Sequence, residues 1–155
     1  MRVVRELSAS ISVRAPAGFA LAFLNTYVRE LGGDDATMPL RYTLSQLAGV
    51  TLERDVTVRV EYVPQPDDAP ALLYICWEPD ASLFPSFEGT LRAQATGERS
   101  CTLSIVGTYD APGGMAGQLF DAVVGVRIAH GTLEQLLARF RDAIEDDYKQ
   151  RMSYA

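Results

Sequence analysis

The chain has little of the equipment that usually announces an enzyme. Its 155 residues include one histidine, two cysteines and one tryptophan. One histidine leaves a Ser-His-acid triad a single candidate base, and no Gly-x-Ser-x-Gly turn supports one. Two cysteines and one histidine make no convincing zinc site, so no metal is implied. Gly113-Gly114 with Gly117 precedes a helical pattern, but the spacing is neither Gly-x-Gly-x-x-Gly nor a P-loop. A turn leading into a helix accounts for these glycines, and no cofactor is implied. No apolar run is long enough to span a bilayer, so stable membrane insertion is not expected. Met1-Arg2-Val3-Val4-Arg5-Glu6 has no apolar core of the signal-peptide type, which makes the cytoplasm the default location. Basic residues are the minority, 14 against 20 acidic, for a net charge of −6. That balance argues against broad nucleic-acid binding, which depends on clustered Lys and Arg. Arg139, Arg141, Lys149 and Arg151 alternate with Glu145, Asp146 and Asp147, the pattern of a solvated mixed-charge face. No repeat, low-complexity tract or linker divides the chain, and residues 1–155 read as one domain.

What is present is an ordinary globular balance, 48% apolar and 22% charged, in a chain long enough to bury a core. Val3, Leu7, Ala9, Ile11 and Val13 alternate with Ser8, Ser10, Ser12 and Arg14, the period of a strand with one face inward. Pro16 ends it and suits the first turn of a helix. Phe19, Ala20, Phe23, Leu24, Tyr27, Val28 and Leu31 make the helical stripe, which Gly32-Gly33 stops. Gly18 weakens its first turn slightly.

Residues 34–51 are less regular. Asp34-Asp35 and Pro39 read as loop, and Leu40 to Leu47 as a short strand rather than a helical turn. From Leu52 to Val63, Val56, Val58, Val60 and Tyr62 alternate with Thr57, Arg59 and Glu61. Pro64 to Pro70 suits a hairpin turn. Leu72 to Glu78 is apolar on both faces and should be covered on both sides. Such a strand, around Leu73 to Trp77, also suggests a homodimer interface. After the connection Pro79 to Pro85, two further strands follow, one through Phe87, Gly89, Leu91, Ala93 and Ala95. The other runs through Cys101, Leu103, Ile105, Gly107 and Tyr109, with a turn at Gly97-Glu98 between them. Gly89 and Gly107 leave room on the core face for a helix or a ligand. Cys76 and Cys101 are expected as buried, reduced thiols.

The longest pattern runs from Met115 to Tyr148 without a proline. Leu119, Ala122, Val123, Val126, Ala129, Leu133, Leu136, Leu137, Phe140, Ala143 and Ile144 fall on one face of a long helix. The expected fold is α+β: a curved antiparallel sheet of about six strands around a long C-terminal helix.

This order resembles the START-like superfamily, the helix-grip fold of lipid-transfer domains, plant pathogenesis-related proteins and polyketide cyclase/dehydrase proteins. The resemblance is carried by Ser10-Ile11-Ser12-Val13-Arg14-Ala15-Pro16 opening into a Phe-rich helix. It is carried also by Gly107-Thr108-Tyr109 followed by Pro112-Gly113-Gly114 before the last helix. It implies an apolar cavity between sheet and helix that takes hydrophobic molecules such as lipids, sterols or polyketides. It implies no fixed catalytic set.

Tyr62, Tyr74, Phe87 and Tyr109 on strands, with Val126, Arg127, His130 and Leu133 on the helix, are the candidate ligand-binding residues. Ordinary core packing is the plainer account of the aromatics. Trp77 falls on the strand face opposite Tyr74. His130 stands at the edge of the apolar helix face, where a general acid/base or a head-group anchor could sit. Arg127 precedes it by three residues and either meets a carboxylate ligand or emerges at the surface. Glu78 reads as an exposed strand-end carboxylate rather than a pocket acid. The leading expectation is a binder of a hydrophobic or amphipathic small molecule. The alternatives are a cyclase/dehydrase-type enzyme using His130 for proton transfer, and a protein-interaction module with a collapsed cavity.

Overall fold

The computed structural model describes residues 3–32, 37–47, 50–63, 72–78, 86–111 and 122–153. Among these residues, six strands and two helices follow in the order β1 (Val3–Val13), α1 (Ala17–Gly32), β2 (Thr37–Leu47), β3 (Val50–Val63), β4 (Leu72–Glu78), β5 (Ser86–Gly97), β6 (Ser100–Ala111) and α2 (Ala122–Ser153). The helix numbered α2 is the C-terminal one. The strands form one antiparallel sheet in the order β1-β6-β5-β4-β3-β2. Consecutive strands pair from β2 to β6, and β1 joins at the end by pairing with β6. The curved sheet and the C-terminal helix together make the α+β helix-grip architecture.

α1 begins where Pro16 ends the strand, and the Pro16 carbonyl accepts the Ala20 N–H at 2.9 Å. Proline therefore precedes the helix as its cap rather than occupying its first turn. β2 is longer than the sequence suggested and contains Pro39. β2 is an edge strand, so one of its sides has no ladder to lose, and proline is tolerated there. Leu44 pairs with Leu52 and Leu47 with Val50, with a register shift between them. That irregularity is why Leu40, Leu44 and Leu47 resist a simple period-two reading. The hairpin turn read at Pro64 to Pro70, the connection Pro79 to Pro85 and the helical pattern from Met115 to Asp121 lie outside the described residues. α2 continues past Tyr148 to Ser153.

The pairing register turns the alternations into rows across the inner face of the sheet. Val58, Trp77, Phe87 and Tyr109 are successive partners. The next row is Val60, Ile75, Gly89, Gly107 and Leu7, and a third contains Leu73, Leu91, Ile105 and Ala9. Against this face pack Leu133, Leu136, Leu137, Phe140 and Ile144 of α2, with Ala20, Leu21 and Leu24 of α1, all buried. Burial of each large side chain contributes roughly 1.5–3 kcal/mol, which is what holds a mixed-charge helix to the sheet. Arg14, just after β1, adds an ion pair with Glu145 of α2 at 3.1 Å.

Gly89 and Gly107 are register partners, and the room above them is taken by a side chain of the protein itself. A β-carbon added at either would lie 2.8 or 2.7 Å from Cζ of Phe87. The Phe87 ring thus lies over bare backbone and stacks on Trp77, centroids 4.6 Å apart and planes 22° apart. The glycine pair makes room for neither a helix nor a ligand at this point; it seats an aromatic ring.

On β4, Leu73, Ile75 and Trp77 are buried in the core. On the other face Leu72 is buried, while Tyr74 and Cys76 are half-buried. Cys76 is therefore less enclosed than expected, whereas Cys101 is buried. Neither is in a disulfide, and they sit on strands separated by β5. Among the described residues, Val106 and Met152 are the large hydrophobic side chains left exposed. No helix among them is long and apolar enough to cross a membrane.

Candidate functional site

An open groove of about 510 Å³ lies where α2 meets β1 and β6, lined by Ser8, Ala9, Ser10, Ser104, Ile105, Val106, His130 and Glu134. The register explains its shape. Ala9 pairs with Ile105, flanked by Ser8 with Val106 and Ser10 with Ser104. Ala9 and Ile105 belong to the inner face, where a methyl group at Ala9 leaves space that a larger residue would fill. The serines and Val106 alternate with them and belong to the other face.

His130 forms one wall, its side chain 42% exposed. Its Nδ1 lies 3.0 Å from Oε1 of Glu134, one helical turn on. A carboxylate only accepts, so Nδ1 is the donor in this contact, and Nε2 is an acceptor whenever the ring is neutral. The pair offers an anchor for a polar group and a proton acceptor beside Ala9 and the serines of β1 and β6. No group of three or more His, Cys, Asp or Glu among them is arranged to hold a metal ion.

The other candidate residues are distributed differently from the sequence reading. Phe87, Tyr109 and Leu133 are buried on the inner face or against it, packed in the core. Tyr74 lies on the opposite sheet face, because it alternates with buried Leu73 and Ile75. Its hydroxyl donates to Oε2 of Glu88 at 3.0 Å. Burial, reinforced by this hydrogen bond and the charge of Glu88, pushes the phenol up from 10.0 to about 12. Tyr74 is thereby corrected from a cavity-lining residue to an outer-face one. The side chains of Tyr62, Val126, Arg127 and Glu78, with Gly113, Gly114 and Gly117, lie outside the described residues. Tyr62 pairs through its backbone with Leu73.

Sequence reasoning missed Glu134, although its i, i+4 spacing from His130 was a usable signal. It also missed Ala9, because a small residue in a strand carries no mark until the register sets it opposite a helix. A second groove, of about 370 Å³, was read only as a core stripe. Phe19, Ala22, Phe23, Thr26, Tyr27 and Glu30 of α1 line it, with Asp147 and Arg151 of α2.

Comparison with known proteins finds likeness in structure. Neither the protein-family models nor the curated proteins give a match to this sequence. The Zhui aromatase/cyclase of a Streptomyces species superposes with a TM-score of 0.51 at 16% identity, over 97% of this chain and 96% of that one. A norcoclaurine synthase from Thalictrum flavum gives a TM-score of 0.55 at 13% identity, over 96% and 98% of the two chains. A START superfamily protein from Mycobacterium smegmatis gives 0.53 at 13% identity, over 94% and 97%. At such identities the likeness speaks for the fold, and it extends over nearly the whole of each chain.

Proposed function

Starting from a START-like helix-grip fold, we propose that this protein is a cytosolic binder of a hydrophobic or amphipathic small molecule held between sheet and C-terminal helix. The observation that carries the reading is the groove in which apolar Ala9 and Ile105 meet the His130–Glu134 pair. Its volume is in the range of small-molecule sites, roughly 300–1,000 Å³. Apolar burial would supply most of the affinity, and the histidine would orient a polar head group. Two cysteines outside any disulfide suit a reducing compartment.

The test uses an amphipathic anilinonaphthalene sulfonate dye as probe. The protein should bind it saturably, and Ala9→Phe, which fills the groove, should weaken binding at least about ten-fold. Ser12→Ala, on an exposed position outside the groove, should leave it unchanged. His130→Ala provides a second arm, since a half-exposed residue can be replaced without disturbing the core. Dye binding that ignores both Ala9→Phe and His130→Ala, with the fold verified by circular dichroism, would defeat the reading.

Proton transfer is the second reading, favoured by the Nδ1 contact and by an Nε2 that is an acceptor whenever the ring of His130 is neutral. In that case His130→Gln would keep dye affinity while abolishing turnover of a ketone-bearing polyaromatic substrate. Equal turnover in the variant would exclude this role.

A further inference from the structure

The groove between α1 and the end of α2 is built from an aromatic ladder with acidic ends. Phe19, Phe23 and Tyr27 recur every four residues and so stand one above another on α1. Phe19 and Phe23 stack with centroids 6.1 Å apart and planes 18° apart, and Phe23 and Tyr27 with 5.4 Å and 19°. At the Phe19 end, the protein shows how such a ladder is closed. The guanidinium of Arg151 lies over the Phe19 ring, 5.9 Å from its centroid, while its Nε meets Oδ2 of Asp147 at 2.7 Å. Ring face and carboxylate hold one planar cation together.

The Tyr27 end repeats the first two parts without the third. Tyr27 supplies the ring, and Glu30, three residues on, supplies an exposed carboxylate lining the same groove. Glu30 has no ion-pair partner among the described residues. Arg29 is next to it in sequence but does not line the groove. The groove's lining carries two carboxylates and one guanidinium, on a chain of net charge −6. Its charge complement is a further cation, and its shape complement is a flat one flanked by apolar groups.

We propose that this groove binds an arginine-bearing peptide segment of a partner protein, with the guanidinium stacked on Tyr27 and paired with Glu30. Arginine suits the site better than lysine because its planar cation stacks on a ring and presents a fork to a carboxylate at the same time. Apolar residues beside the arginine would cover Phe23. The groove shares no lining residue with the one at His130, so the two do not share a ligand.

Blocked Leu-Arg-Leu, with its citrulline and lysine counterparts, tests this by two-dimensional amide NMR titration of the whole chain. The arginine peptide should shift the amides around Tyr27 and Glu30. The citrulline peptide, same in shape but uncharged, should bind about five-fold or more weakly, and the lysine peptide should also be weaker. Glu30→Gln, at an exposed position, should reduce arginine-peptide affinity to the level of citrulline. Arg151→Gln vacates the Phe19–Asp147 rung and should add a second binding event for the same peptide. Equal binding of arginine and citrulline peptides, or no loss in Glu30→Gln, would overturn the proposal. So would absence of the second event in Arg151→Gln, or lysine binding as well as arginine.

Discussion

Replacing Gly107 with alanine adds one methyl group, and the structure gives it no room. The new β-carbon would meet the carbonyl oxygen of Glu88, with Cα of Gly89 at 2.6 Å and Cζ of Phe87 at 2.7 Å. Two of these three are backbone atoms of the paired strand β5, so they cannot withdraw without opening the ladder. The third belongs to a ring that is itself buried and stacked on Trp77. Overpacking a core by a methyl group costs about 1–3 kcal/mol. Displacing the ring weakens an aromatic pair worth about 0.5–1.5 kcal/mol. Lower chain entropy of alanine in the unfolded state offsets only about 0.4–1 kcal/mol. A net loss of about 2 kcal/mol or more is expected, which in a chain of this size lowers the melting temperature by several degrees. Urea denaturation should show a reduced midpoint with an unchanged slope. Gly18→Ala is the matched control: nothing lies within 4 Å of its added β-carbon, and it sits in the first turn of α1. That variant should gain up to about 1 kcal/mol from helix propensity. If Gly107→Ala is as stable as the parent, or if the two substitutions act alike, the seating of Phe87 on the glycine pair is wrong. A double variant with Phe87→Ala should not restore stability, because the backbone collisions remain.

Ultraviolet titration should find Tyr74 ionising near pH 12, later than an ordinary phenol, and Tyr74→Phe should remove that component. Because the folded value exceeds the unfolded 10.0, this group's stabilising effect is complete below pH 10.0 and is lost as pH rises toward 12. Glu88→Gln should move the titration back toward lower pH; no movement would discount the hydrogen bond. Phe140→Ala, at a fully buried position on α2, should cost about 3–5 kcal/mol in chemical denaturation. Arg14→Ala should change stability by no more than about 0.5 kcal/mol, because solvent screens an arginine side chain that is 90% exposed. Cys76 should react with a thiol reagent in the folded protein well before Cys101, which is buried and whose thiol is pushed up by desolvation. Equal rates for the two thiols would contradict their placement.

The described helices and strands were largely legible because each carries its own period. Val56, Val58, Val60 and Tyr62 read as a strand, and Leu133, Leu136, Leu137, Phe140 and Ile144 as a helix face. β2 was legible only in part: Leu40 to Leu47 read as a strand, but Pro39 made its first residues read as loop and the register shift between Leu44 and Leu47 blurs its period. The candidate site was much less legible. His130 drew attention as the lone histidine, but its partner Glu134 and the small Ala9 did not. Tyr74 and Phe87 looked equivalent as strand aromatics, yet one bonds Glu88 on the outer face and the other fills the space over two glycines.

Periodicity is a local property, set by the geometry of one strand or one helix. It determined which residues share a face, and through the order of elements it pointed to a sheet gripping a C-terminal helix. Which face meets the helix, which residues stand opposite one another, and what occupies the space between are set by pairing across distant strands. The register that matches Gly89 to Gly107 and Ala9 to Ile105 joins residues far apart in the chain. Only tertiary packing therefore decided that one small-residue gap is closed by Phe87 while another, beneath His130, stays open.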